Sequence, residues 1–405
     1  MAGATPAGDA PPAGSSPPAH GWLAVAAAFT SLATCFGVVY TFGNFLAPLA
    51  EAFHLGTGPV SSVFAFTTFL FFTLSAITGP LTDRLGARPL VVAGAVTMAA
   101  GLVLTSLAPS AWVLLPSYAL GVGVATSCSY VPMVAAVGRR VRPERVGAAM
   151  ALVSTGIGAG TLAVPPIAAA LIGWVGWRGA YQALAAGSFV LLLACAALIG
   201  PRVPAPAGAA APLGHLLRAR RYWLLYVTMF LLDQALYVAF VDLVPHARSL
   251  SVPAVSAALL VSAIGVGSLA GRLVLAPLGV WLRPLVLFKA SAVVFGVSFA
   301  VWLLASGFPT LVAFAVLLGI GYGGWVAIAP ALVAELFGTR DLGRSVGILW
   351  TSAGIAALVG PIAAGFLIDA VGFRVTIAAA AVDALLCVVL ALVLRAGRPP
   401  LTAAP

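Results

Sequence analysis

Long apolar blocks alternate with short polar segments along almost the whole chain. Each block has about 20 residues or more, the length that an α-helix needs to cross the hydrocarbon core of a bilayer. The pattern predicts an all-α integral membrane protein. Its twelve spans are expected at approximately residues 22–46, 59–80, 89–108, 111–137, 146–172, 179–200, 222–245, 254–280, 284–305, 309–335, 345–368 and 374–395.

Composition supports the same class. Of the 405 residues, 62% are hydrophobic and 7% are charged, whereas soluble domains carry about 25% charged residues. Residues 1–21 are rich in Ala, Pro and Gly and lack a basic segment followed by an apolar core, so we expect a disordered tail rather than a signal peptide. The four cysteines fall inside predicted spans without metal-ligand spacing, so no metal site is expected.

The chain has a net charge of +10, and most of its arginines are concentrated on one predicted side of the membrane. If the first span begins in the cytoplasm, fifteen of the nineteen arginines lie in cytoplasmic segments, and Arg178, Arg248 and Arg374 lie outside. This is the positive-inside bias. It predicts a multi-pass protein of the cell (inner) membrane with both termini in the cytoplasm, and it explains the basic balance without a nucleic-acid partner.

The second half of the chain repeats the first. Pro330 matches Pro132, and VGFR ending at Arg374 matches VGWR ending at Arg178. Because six spans separate equivalent positions, both halves have the same orientation, as in transporters built from parallel repeats. The predicted domains are a disordered cytoplasmic tail at 1–21, an N-terminal six-helix bundle at 22–200, a flexible cytoplasmic linker at 201–221, a C-terminal six-helix bundle at 222–395 and a cytoplasmic tail at 396–405.

The segment GPLTDRLGARP lies between the second and third predicted spans. Gly79 allows close helix approach, Gly86 allows a tight turn, and Asp83 can accept hydrogen bonds at a helix end. Arg84 and Arg88 fall on the predicted cytoplasmic face. The segment resembles the corresponding loop of the major facilitator superfamily, and with the repeat this resemblance covers the whole chain. It implies two pseudo-symmetric six-helix bundles that work by alternating access, with a gating role for these five residues.

A second motif narrows the resemblance. The segment from Tyr237 to Leu278, with its VPHAR stretch and the Gly-Arg pair ending at Arg272, is similar to spans seven and eight of monocarboxylate porter-like members, including the oxalate/formate exchanger branch. In those proteins the span-eight arginine pairs with the substrate carboxylate, a role that the resemblance assigns to Arg272. The chain departs from the family pattern at Ser268, where animal porters have an acidic residue, and at Asn44, where they have a lysine. With fewer cations, a monoanion is favoured over a dianion.

Arg272 and Asp233 are charged residues deep inside predicted spans. A guanidinium stays charged and costs at least about 2.5 kcal/mol near the bilayer centre, so Arg272 is expected to face a water-filled cavity or a carboxylate. A structural pair with Asp233, or a side chain extended to the cytoplasmic surface, is the alternative to substrate binding. Asp233 is the candidate proton carrier, with a fixed ion pair as its alternative. Asp242 and Asp383 are also intramembrane. Asp242, near His246 and Arg248, is expected in a network at the extracellular rim, with proton entry as the alternative, and the sequence assigns no role to Asp383.

Amphipathic side chains from spans one, four, seven and ten complete the candidate site, because these four spans surround the transport path in the superfamily. Their rings and amide suit a polar cavity, although packing alone is the alternative. The predicted substrate-binding residues are Arg272, Tyr40, Asn44, Tyr130, Tyr237, Tyr322 and Trp325.

The sequence thus predicts a secondary active transporter of small organic anions, with monocarboxylates favoured, driven by proton symport or anion exchange. No ATP site and no Ser/His/Asp, paired-carboxylate or metal constellation is recognisable, so neither an enzyme nor a cofactor is expected. The expected partners are a small organic anion, a proton and the lipid bilayer, with the monomer as the functional unit. The alternatives are efflux of amphipathic drugs or metabolites and, from another class, a non-transporting sensor.

Overall fold

The computed structural model describes residues 18–200, 218–278, 281–337 and 342–395. Most of both predicted tails and of the predicted linker therefore lies outside the described residues. Within these ranges the regular structure is entirely helical, which confirms the all-α fold class. The helices are α1 (Pro18–Tyr40), α2 (Phe42–Phe53), α3 (Thr57–Leu85), α4 (Ala87–Ser106), α5 (Ala111–Arg140), α6 (Pro143–Leu198), α7 (Arg220–Ser249), α8 (Ala254–Leu278), α9 (Pro284–Leu303), α10 (Phe308–Phe337), α11 (Leu342–Leu349), α12 (Thr351–Val371) and α13 (Phe373–Val393).

Eleven helical segments in the described part of the chain are long and apolar enough to cross a membrane. One of them, Ala149–Leu198, has 50 residues. It would measure about 75 Å if straight, more than twice the thickness of a hydrocarbon core. The backbone breaks at Gly176, where φ is 71° and ψ is 172°. Since α6 is divided at this point, it supplies two of the twelve predicted spans, 146–172 and 179–200.

The internal repeat extends to backbone conformation. Gly372, the counterpart of Gly176 in the second half, has a φ of 82° and a ψ of 174° and separates α12 from α13. Residues with a side chain rarely adopt this region, whereas glycine does so readily. The same break therefore occurs at equivalent places in both halves.

Most helix contacts fall within the predicted halves. In the first half α1 packs on α6, and α5 packs on α3 and α4; in the second, α10 packs on α8 and α9, and α7 packs on α12 and α13. The most extensive contacts between the halves are those of α3 with α12, α6 with α8, and α2 with α7.

Candidate functional site

A cavity of about 690 Å³ lies between the two bundles. We call the end of the molecule at the start of α3 the Thr57 end, and the end at the α3–α4 turn the Gly86 end. Cavity-lining residues in the last third of α3 and around α11 are solvent-exposed, among them Ala76, Gly347 and Thr351. The cavity therefore opens toward the Gly86 end, which is the predicted cytoplasmic side.

The Thr57 end is closed by contacts between the halves. The Asp369 carboxylate on α12 accepts hydrogen bonds from the backbone N–H groups of Thr57 (2.9 Å) and Gly58 (3.0 Å) at the start of α3. These amides have no intrahelical acceptor, and the helix dipole favours a negative charge there. A Cβ atom on Gly365 would lie 2.6 Å from the Gly58 Cα, so the two helices are in backbone contact.

Asp369 was not a candidate in the sequence-based analysis. The sequence could have indicated this residue, because Asp369 is a charged residue at the end of an otherwise apolar span. Its counterpart in the first half of the repeat is the uncharged Gly173. The repeat therefore marks Asp369 as an asymmetric feature.

Most of the predicted substrate-binding side chains, together with the predicted proton carrier, are brought together in the cavity. Rings of the first half pack on one another at this wall of the cavity: Tyr130 lies edge-on to Phe36 and Phe71, with centroids 5.8 and 5.7 Å apart. The predicted residues that line the cavity are Tyr40, Tyr130, Asp233, Tyr237, Tyr322 and Trp325.

Three aromatic rings form the inner boundary of the cavity, on the side of the Thr57 end. Tyr40 stacks on Phe240 with ring centroids 3.9 Å apart, and Tyr322 meets Phe240 edge-on at 6.0 Å. The hydroxyl oxygens of Tyr40 and Tyr322 lie 3.4 Å apart. Because α1 belongs to one bundle and α7 and α10 to the other, this cluster joins the two halves at the bottom of the cavity.

Arg272 lies directly behind Tyr322. Its side chain is 3% exposed, and the guanidinium carbon Cζ is 5.3 Å from the centroid of the Tyr322 ring, within the range of a cation–π contact. Nη1 donates to the Ser268 carbonyl at 3.3 Å and also bonds the Ser268 hydroxyl. Nε and Nη2 are buried without a protein acceptor. Two of the three guanidinium nitrogens are thus unpaired, although Arg272 does not itself line the cavity and is separated from it by the Tyr322 ring.

Neither structural alternative for Arg272 is realised. The ion pairs of the described residues join Asp83 to Arg139 and Arg283 to Glu335, so Arg272 and Asp233 form no pair. The Arg272 side chain also bends back toward Ser268, toward the middle of α8, rather than extending to the Gly86 end.

The position of the Arg272 side chain is set by the close packing of α8 against α10. A Cβ atom on Gly323 would lie 2.1 Å from the Ser268 carbonyl oxygen, so only glycine fits there. The two helices can therefore touch backbone to backbone, which brings the guanidinium of Arg272 over the ring of Tyr322.

Asp233 lines the cavity from α7 and is 2% exposed. Its Oδ2 atom is buried without a hydrogen-bond donor. The adjacent Gln234 faces another way, because its Nε2 donates to Asp383 Oδ2 at 2.9 Å. Asp242 is also buried, with neither carboxylate oxygen paired. Asp233 is therefore the carboxyl group that meets the cavity.

Asn44 lies outside the central cavity. Its Nδ2 donates to the Pro165 carbonyl at 2.8 Å and to Thr41 Oγ1 at 3.2 Å. It lines a second cavity of about 300 Å³ near the Thr57 end, together with Glu51 and Arg248. The helix is interrupted at Thr41, between α1 and α2, so Asn44 does not continue the face of α1 that carries Tyr40.

The five predicted gating residues lie at or near the Gly86 end. Gly86 has a φ of 86° and makes the expected tight turn between α3 and α4. The Asp83 carboxylate pairs with Arg139 at the end of α5, and Arg84 and Arg88 are exposed. A Cβ atom on Gly79 would meet Val131 at 3.7 Å, which is ordinary contact. The ion pair links two helices of the same bundle.

A long all-helical chain with a cavity between two repeated bundles defines a multi-pass membrane transporter. The model of the Major Facilitator Superfamily matches residues 27–304 and 286–405. Monocarboxylate transporter 13 of Rattus norvegicus is 30% identical, over 87% of this chain and 83% of that protein. Monocarboxylate transporter 11 of Mus musculus is also 30% identical, over 87% of this chain and 82% of that protein.

The chain belongs to the major facilitator superfamily and, within it, to the monocarboxylate porter-like branch. Its fold is similar to that of a bacterial homologue of the human lysosomal transporter Spinster, solved in an inward-facing, unoccupied conformation. That similarity has a TM-score of 0.75 at 13% identity, over 94% of this chain and 98% of the other. Membership of a transporter family also confirms that the chain is not an enzyme.

Proposed function

We propose that the chain transports small organic anions, specifically monocarboxylates, by alternating access. The observation that carries this proposal is Arg272, whose Nε and Nη2 groups are buried without an acceptor behind the cavity-lining ring of Tyr322. An unpaired buried charge is costly, and a carboxylate supplies two parallel acceptors to a guanidinium. Relatives named as monocarboxylate transporters support the same substrate class.

Substrate reaches Arg272 only if the rings in front of it move. The Tyr322 ring and the Tyr40–Tyr322 hydroxyl contact lie between the guanidinium and the open part of the cavity. In the proposal, a carboxylate takes over the interactions of these hydroxyl groups and pairs with Arg272. The bundles then rock so that the cavity closes at the Gly86 end and opens at the Thr57 end.

Proton symport is the driving mechanism that we favour, with Asp233 as the carrier. Its carboxyl group faces the same cavity as the substrate and has no cationic partner. An unpaired carboxylate at this depth is costly, so the group is stable there when protonated. Anion exchange is the second mode, in which Asp233 keeps its proton throughout the cycle.

The remaining expectations are also part of the proposal. The segment from Gly79 to Pro89 acts as a latch whose turn and Asp83–Arg139 ion pair order the Gly86 end. The protein lies in the inner membrane of the cell with both termini in the cytoplasm, and it functions as a monomer.

Uptake by proteoliposomes tests the proposal. We would measure labelled lactate, pyruvate, acetate, formate and oxalate, with and without an inward proton gradient, for the wild type, Arg272→Lys and Arg272→Ala. The matched control is Arg374→Ala, since Arg374 is exposed at the Thr57 end. We expect gradient-stimulated uptake of monocarboxylates that falls at least about tenfold in Arg272→Lys, because lysine cannot bind bidentately. It should be absent in Arg272→Ala and unchanged in the control.

Equal uptake by a folded Arg272→Ala variant would reduce this arginine to a structural residue. The aromatic lining of the cavity favours a second candidate, export of amphipathic drugs or metabolites. Folded wild type that moves none of the acids but expels an apolar dye would support that candidate. A protein that binds a solute without moving any would instead be a sensor.

A further inference from the structure

The central cavity has two different ends. Its inner end is polar, with Arg272 behind the hydroxyl groups of Tyr40 and Tyr322. Nearer the opening, two indole rings and a phenyl ring form what we call the aromatic wall: Trp325, Trp350 and Phe72. Trp325 and Trp350 have centroids 5.4 Å apart. Trp350 also stacks on Phe72 of the other bundle at 6.3 Å, with 14° between the planes.

The hydroxyl groups beside the aromatic wall are already engaged. Ser75 Oγ donates to the Phe71 carbonyl at 2.7 Å, and Thr351 Oγ1 donates to the Ile348 carbonyl at 2.7 Å. Both groups bond to their own helix backbone and leave mainly carbon facing the cavity. The wall is therefore suited mainly to an apolar surface, and its unpaired polar group is the buried Nε1–H of Trp325.

The size of the cavity points the same way. Each water molecule occupies about 30 Å³ in the liquid, so a cavity of about 690 Å³ has room for more than an acid of six heavy atoms. Cavities of this volume are typical of drug-sized ligands. A small acid bound at Arg272 would leave the rings of the wall in contact with water. A larger apolar body would cover them and gain from their burial.

We propose that the preferred substrate is a monocarboxylate bearing an aromatic ring, with its carboxylate at Arg272 and its ring on the aromatic wall. This inference rests on the function proposed above. The polar and apolar ends of the cavity follow one another from the inner boundary toward the opening. An amphipathic acid therefore fits in one orientation, with the charged group innermost. Lactate-sized acids are minor substrates of the same site.

Acids that differ only by a ring test this inference. We would compare lactate with 3-phenyllactate, and pyruvate with phenylpyruvate, in proteoliposomes after subtracting the flux into protein-free liposomes. The neutral 3-phenyllactamide reports whether the charge is needed. The variants are Trp350→Ala, Trp350→Phe and, as a matched control, Trp112→Ala, because Trp112 is 90% exposed and remote from the cavity lining.

We expect the wild type to transport 3-phenyllactate with an efficiency at least about tenfold higher than that for lactate, the order of effect of burying one phenyl ring. Trp350→Ala should lose most of this preference, measured as the ratio of 3-phenyllactate uptake to lactate uptake in the same preparation. Trp350→Phe, which keeps a ring, should retain part of the preference. Trp112→Ala should behave as the wild type.

Two kinds of result would overturn the inference. One leaves the proposed transport of carboxylates intact, and the other overturns it as well. If lactate is transported as efficiently as 3-phenyllactate, or if the ring preference survives in Trp350→Ala, the proposed aromatic substrate is rejected. Carboxylate transport is not affected by either result. Transport of 3-phenyllactamide as fast as the acid, or of no acid of either size, removes carboxylate recognition and the present inference with it.

Discussion

The hydroxyl oxygens of Tyr40 and Tyr322 lie 3.4 Å apart, although the two residues come from opposite bundles and are 282 positions apart in the chain. This contact ties the first half to the second at the inner boundary of the cavity, directly in front of Arg272. A hydrogen bond in this place stabilises the state in which the halves are closed toward the Thr57 end.

The first prediction concerns this contact. Tyr40→Phe and Tyr322→Phe each remove one hydroxyl, and hydrogen bonds of this kind are worth about 1 kcal/mol. We expect each single variant to shift the conformational equilibrium by about fivefold toward the state open at the Thr57 end, and the double variant to match either single one, because all three lack the same bond. The distance between spin labels at the exposed positions Glu51 and Arg248 measures this. Additive effects would show that the hydroxyl groups act independently. Tyr181→Phe is the control, because the Tyr181 hydroxyl is buried without a partner and Tyr181 does not line the cavity.

The second prediction separates function from stability at Arg272. Its Nε and Nη2 groups are buried and unpaired, so replacing Arg272 by an apolar side chain removes the desolvation cost of an uncompensated charge. We expect Arg272→Leu to abolish uptake while raising the temperature of unfolding in detergent. Arg374→Leu, at an exposed position, should leave both unchanged. A strongly destabilised Arg272→Leu would identify the arginine as a structural element of the bundle.

The third prediction concerns the carboxyl group of Asp233. Asn has nearly the same shape as Asp but takes up no proton, so Asp233→Asn should lose stimulation by an inward proton gradient. It should retain exchange of internal for external substrate, because that mode needs no proton release. The measurement is uptake against counterflow in the same liposomes.

Asp383→Asn is the matched control, because Asp383 accepts a hydrogen bond from Gln234 and does not line the cavity. It should keep the response to the gradient. If Asp233→Asn keeps it too, Asp233 is not the carrier, and exchange by the wild type becomes the favoured mode.

The fourth prediction concerns the closed end. Asp369 joins the halves through the amides of Thr57 and Gly58, and hydrogen bonds to a charged group are worth about 1.5–3 kcal/mol each. Asp369→Ala should therefore shift the protein toward the state that is open at the Thr57 end. Spin labels at the exposed positions Glu51 and Arg248, on α2 and α7, should report longer distances.

Glu335→Ala serves as the control for this measurement. It removes a carboxylate that pairs with Arg283 inside the second bundle and has no proposed gating role, so the distance between labels at the Thr57 end should stay as in the wild type. An unchanged distance in Asp369→Ala would mean that the backbone contact between Gly58 and Gly365 closes this end without the carboxylate.

The features that the sequence determined by itself are those that depend on neighbouring residues. Span lengths and hydrophobicity follow from the bilayer, which requires each backbone group to be bonded within its own helix. The repeat and the glycine turn at Gly86 are equally local, because a positive φ is a property of one residue. The family motifs also lie in continuous segments.

Only the tertiary structure decided what depends on distance between helices. Asn44 shares a span with Tyr40, yet the break at Thr41 places it in a different cavity. Arg272 and Asp233, which could have paired, are held apart because α8 packs tightly on α10 at Gly323. Asp369 meets the start of α3 from 312 positions away. Such contacts arise from the packing of whole bundles, where the close approach of two backbones selects one geometry. The hydrophobic pattern along a single helix does not specify which residues of other helices it will contact.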